Sequence, residues 1–136
     1  MTTISELLKE VERRKLIVEN YYRNYRLHVN SKNYSKASED LWGVVNNLLI
    51  ILSLVMTGKS VSSHSALRDF VNQLIAIKRN EKLRELFRAA ERLHANYFHN
   101  FMDEEMFNED REKVEELIRI LEQYILEELE KLRSFY

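Results

Sequence analysis

The residues with the most to offer chemically crowd into one stretch, ERLHANYFHNF at positions 91–101, with Arg88 one turn upstream. Two arginines, Arg88 and Arg92, and two histidines, His94 and His99, stand there among aromatic side chains. A guanidinium holds a phosphate through paired, charge-assisted hydrogen bonds, and an imidazole exchanges protons near neutral pH. Together they suit phosphodiester chemistry, one fixing charge and the other moving a proton.

Which of them share a face follows from helical geometry. Advancing about 100° per residue from Leu83, an apolar arc gathers Leu83, Leu86, Phe87, Ala90, Leu93, Tyr97, Phe98 and Phe101. His94 falls about 20° from the centre of that arc, so it is expected as a buried core histidine, neutral near pH 7 because burial disfavours the imidazolium. Arg88, Arg92 and His99 land near 140°, 180° and 160° on the opposite side, with Arg92 and His99 roughly 10.5 Å apart along the axis. That separation lets both reach one phosphodiester. The wet face of an amphipathic helix would carry the same residue types, so spacing alone fits both readings.

Other patterns carry less. Gly58-Lys59-Ser60 resembles the end of a phosphate-binding loop, but Ser53 stands where the first glycine is required and the preceding element is a helix. The spacing of His94 and His99 lacks the zinc-protease pattern, and no metal site or cofactor is expected. Arg13-Arg14-Lys15 spreads around a helix and makes no patch. Ser62-Ser63-His64-Ser65 opens a helix, where free N–H groups can hold an anion; Ser63 and His64 are therefore a secondary binding candidate, although capping serines account for the motif without a ligand.

Elements that place these residues can be drawn from composition and caps. The 136 residues contain no proline, two glycines and no cysteine, with 21 basic against 22 acidic side chains. An all-α single domain over 1–136 is expected, with no disulfide, no thiol chemistry and no global field for nucleic acid or membrane. Five helices are predicted: from Thr3 to about Asn30, Tyr34 to Thr57, Ser62 or Ser63 onward, Asn80 to about Met102, and from Asn108. The run LWGVVNNLLIILSLVM, from Leu41 to Met56, is shorter than the roughly 20 residues of a membrane span and reads as a buried helix in a soluble, cytoplasmic protein.

The order of pieces resembles the HEPN superfamily (higher eukaryote and prokaryote nucleotide-binding), and within it the small archaeal PaREP-type proteins. The likeness covers about Tyr21 to Glu128. It rests on Asn33-Tyr34-Ser-Lys-Ala37 leading into Leu41-Trp42-Gly43, the apolar helix closing at Thr57-Gly58, Ser63-His64-Ser65-Ala66-Leu67, and Arg92-Leu-His-Ala-Asn96-Tyr97. It implies a five-helix, up-and-down, HEPN-like bundle, dimeric and associated with nucleotide or RNA, in toxin–antitoxin or nucleotidyltransferase-partner systems. Many relatives of that kind are metal-independent ribonucleases with an arginine, four to six residues, and a histidine. Arg92 and His99 fit that spacing as catalytic candidates, with Arg88, Asn96, His64 and Ser63 as binding candidates. Arg88 and His94 fit it too, but point about 120° apart. Leu93 stands where nuclease members commonly carry a polar residue, which favours a noncatalytic, dimeric binding module over the ribonuclease or a purely structural dimer. The partners implied are a second copy, RNA or a nucleotide, and a nucleotidyltransferase or antitoxin protein, with no membrane.

Overall fold

With nothing in the backbone to interrupt it, the chain coils wherever a cap lets it start. In the computed structural model, which describes residues 3–135, it makes five helices: α1 (Ile4–Asn30), α2 (Tyr34–Thr57), α3 (His64–Lys78), α4 (Lys82–His99) and α5 (Glu104–Phe135). Thr3 opens α1 by accepting from the Glu6 N–H, Asn33 opens α2 through Lys36, and Ser63 opens α3 through Ala66. Gly58 closes α2 in the left-handed conformation that glycine adopts freely.

Two predicted boundaries move. Helix α4 ends at His99, three residues before the expected Met102, because Asn100 turns left-handed at φ 44° and the Asn96 side chain takes the Met102 N–H. Asn96 thereby folds the chain back on itself. Helix α5 begins at Glu104, four residues before Asn108: the Asp103 carboxylate accepts the Met106 N–H at 2.8 Å, and Glu104 and Glu105 sit at the positive end of the helix dipole. At the start of α4 the capping residue is Glu81, which makes no side-chain cap; the predicted Asn80, one residue earlier, accepts from the Lys82 N–H with its side chain.

Helix α2 runs through the middle. Leu41, Val44, Val45, Leu49, Ile51 and Leu52 are buried, and α1, α4 and α5 all pack against it, with α3 resting mainly on α4. The closest approach is at Gly43, where an added Cβ would lie 2.5 Å from the Tyr21 ring. Among the described residues α2 alone is long and apolar enough to cross a membrane, and 83% of its apolar window is buried inside the bundle. One chain therefore covers α2, as its reading as a buried helix requires. Exposed apolar side chains lie elsewhere, among them Leu16, Leu126, Tyr97, Phe98 and Phe101. The last three fall at the C-terminal end of the arc predicted for α4, beyond the buried Leu83, Leu86, Phe87, Ala90 and Leu93.

Candidate functional site

Helix α4 carries the predicted residues, and its neighbours divide them. On the α5 side, Arg92 donates from Nε and NH2 to the two carboxylate oxygens of Asp110 at 2.9 and 2.8 Å. Asp110 is buried, and its carboxylate holds the Arg92 guanidinium above the usual arginine range. His99, the last residue of α4, is exposed and makes no hydrogen bond or ion pair. Arg92 is thus committed to α5, and nothing orients the His99 ring beside it.

Asn96 is fully buried and its side chain is used twice, donating to Ser38 Oγ at 3.0 Å and accepting from the Met102 N–H at 2.9 Å. The amide ties α4 and the turn after it to α2. Ser63 is exposed, and its hydroxyl caps α3.

On the α3 side the arrangement opens. Arg84 donates to Asn72 at 3.3 Å and Arg68 Nε donates to Glu91 at 2.6 Å, so the pairing runs antiparallel, as two helices joined by a short turn must. Between them lies a groove of about 340 Å³ lined by Arg68, Asn72, Arg84, Arg88 and Glu91 over a floor of Val71, Ile75 and Phe87. Arg88 is exposed and has no ion-pair or hydrogen-bond partner.

Farther along the same side, two imidazoles lean on one indole. The Trp42 ring lies 5.3 Å from His64 and 4.6 Å from His94, nearly parallel to both, while the two imidazoles are 6.2 Å apart. A sandwich would hold them at the sum of the first two distances, so both occupy one face of the indole. Each is held by a carboxylate: His64 Nε2 meets Glu91 at 2.8 Å and His94 Nδ1 meets Glu39 at 3.0 Å. The other ring nitrogens, Nδ1 of His64 and Nε2 of His94, have no partner in the chain. Burial pushes the Glu39 carboxyl up, and the His94 ring pulls it part of the way back. His94 is half-buried, its side chain 29% exposed, in place of the buried core residue expected. The helical angle was correct, but the neighbouring α2 meets this part of α4 with Glu39 and Trp42, a polar edge and a flat ring that leave the imidazole rim open.

Phe98 ends this row, packed edge-on against His94 at 5.3 Å and 65% exposed. Arg84, Arg88, Glu91 and Phe98 therefore form one line on α4 at intervals of four, three and seven residues, which a helix brings onto a single side. His64, Arg68 and Asn72 answer from α3 at intervals of four. These two spacings are the signals by which sequence could have found Arg68, Arg84 and Glu91. Glu39 and Trp42 gave no such signal, since only packing brings α2 beneath them. Among the described residues no group of three or more His, Asp or Glu side chains is placed to hold a metal ion.

Against known proteins, the model of the archaeal PaREP1/PaREP8 family matches residues 14–118, which spans α2, α3 and α4 together with most of α1 and the first half of α5. No curated protein and no solved structure matches the chain.

Proposed function

The chain belongs to the archaeal PaREP1/PaREP8 family, and from that premise we propose that it is a HEPN-like, nucleotide- or RNA-associated module whose contact face is the track between α3 and α4. One observation carries the reading: two arginines and an exposed aromatic ring share one line on α4, a third arginine faces them from α3, and two half-open imidazoles lie between the arginines and the ring. Single-stranded nucleic acid is held in this way, phosphates on cations and bases on π-faces. The overall charge of −1 means that the attraction is local to the track.

Arg92 takes no part in this contact, because its guanidinium is spent on Asp110. Fluorescence anisotropy with short single-stranded RNAs tests the proposal. Binding that weakens with salt and is lost in an Arg68→Ala/Arg88→Ala double variant supports it, since each phosphate contact removed lowers the salt dependence. Binding unaffected by that double change sinks it.

A second reading, metal-independent phosphodiester cleavage, is favoured by one observation: Nδ1 of His64 and Nε2 of His94 have no partner, on two partly exposed imidazoles side by side next to the groove. Under this reading cleavage in EDTA is abolished by His64→Ala or His94→Ala, while His99→Ala cleaves normally. Loss on His99→Ala alone would return the chemistry to the Arg92 and His99 pair. Self-association belongs to the same proposal, supported by Tyr97 on α4 and Phe101 just after it, both exposed. Light scattering near twice the 16.4 kDa chain mass is the expected result.

A further inference from the structure

We infer that this groove, lined by Arg68, Arg84 and Arg88, is a site for a terminal phosphate, so that the ligand of the track is a single strand carrying a phosphomonoester at one end. The inference rests on the proposed track and goes beyond it by naming the group bound in the groove, a terminal phosphomonoester.

Charge is the first argument. Three guanidiniums against the one Glu91 carboxylate leave a surplus of two positive charges among the groove residues. An internal phosphodiester brings a single negative charge, whereas a phosphomonoester at neutral pH carries about 1.5 to 2. The monoester matches the surplus. The existing partners of these arginines leave them largely free to act: Arg68 uses Nε on Glu91, so its two terminal nitrogens remain open. Arg84 meets Glu81 only at 3.7 Å, on a carboxylate side chain that is 82% exposed, where an ion pair is worth little. Arg88 has nothing to give up.

Shape is the second argument. The Arg84 to Asn72 hydrogen bond spans the groove, and just beyond it α3 and α4 are joined by the turn at residues 79–81. A strand lying along the groove from the Phe98 end meets this crossing at the arginines, and a strand end fits there without having to turn out of the groove. From Arg88 to Phe98 is ten residues, about 15 Å along the helix axis. The end phosphate and the stacked base therefore belong to different nucleotides, and a strand is needed in place of a mononucleotide. Glu91 serves both neighbours from between, fixing Arg68 on one side and His64 on the other.

The experiment compares one short RNA sequence in three forms, with a 5′-phosphate, with a 3′-phosphate and with hydroxyls at both ends, by anisotropy of an internally labelled strand. One phosphorylated form is expected to bind about tenfold more tightly than the hydroxyl form, the worth of one or two charge-assisted hydrogen bonds. That preference should vanish in Arg88→Ala and in Arg84→Ala, while Phe98→Ala weakens all three forms alike. Far-ultraviolet circular dichroism shows that each variant is folded, and Arg88, having no partner, is the change least able to disturb it. Equal binding of all three forms by the unaltered protein overturns the terminal site and leaves the track standing. Failure of every form to bind overturns both. Displacement of the RNA by a phosphoserine peptide as strong as the phosphorylated RNA overturns the assignment to nucleic acid.

Discussion

Arg88 and Arg92 stand one helical turn apart on α4 and are put to opposite uses. Arg92 faces α5, finds a buried carboxylate and closes a bidentate pair; Arg88 faces the groove beside α3 and is left unpaired. The histidines divide in the same manner, His94 held against Trp42 and Glu39 while His99 hangs at the end of the helix. The α5 side thus reads as a fastening and the α3 side as a surface kept open. A residue type carries chemistry only where the fold leaves it unspent.

The sharpest way to break this contrast is at Asn96. Replacing it with Ala leaves the Met102 N–H unpaired in a buried place and removes the bond that Ser38 accepts, though the Ser38 hydroxyl still donates to the Tyr34 carbonyl; this should cost about 3 kcal/mol by urea unfolding. A cost near zero would mean that the amide is free for a ligand after all. Next comes Arg92→Ala, which strands the Asp110 carboxylate and should cost about 2 kcal/mol, tempered because the Arg92 side chain is 46% exposed. RNA binding should be unchanged in this variant at temperatures where it remains folded. An effect confined to binding, with stability intact, would move Arg92 from fastening to site.

Arg88→Ala should do the reverse. Its stability should stay within about 0.5 kcal/mol of the parent, as for surface positions generally, while the slope of log affinity against log salt falls by about 0.7 for the lost phosphate contact.

The smallest effect concerns pH. Because burial raises the Glu39 carboxyl in the folded state, the native protein takes up that proton before the unfolded chain does. The contribution is complete below the ordinary carboxylate value and is lost as pH rises through the raised one. Urea unfolding at neutral pH and again near pH 4.5, the ordinary glutamate value, should show the parent gaining on Glu39→Gln as the pH falls. A constant difference would mean that the carboxyl is as well solvated as in the unfolded chain.

The helices and most of their ends were readable because caps are local. Thr3, Asn33, Gly58 and Ser63 act on N–H or C=O groups at most four residues away. The two ends that moved did so for reasons of different range. Asp103 captures the Met106 N–H from three residues away and merely outcompetes Asn108, whereas Asn96 stops α4 while its amide is held by Ser38, 58 residues distant in sequence.

The sequence by itself settled the all-α class, the five helices and the angle at which each side chain leaves its helix, since these depend on backbone propensity and a fixed rotation per residue. Tertiary structure alone decided what stood at the end of each angle. Asp110 reaches Arg92 from 18 residues away, Arg68 and His64 reach Glu91 from 23 and 27, and Glu39 reaches His94 from 55. Helical rotation says which way a charge points; whether it meets a carboxylate, a ring or open solvent depends on how the helices pack, and that meeting determines whether the charge is free to bind.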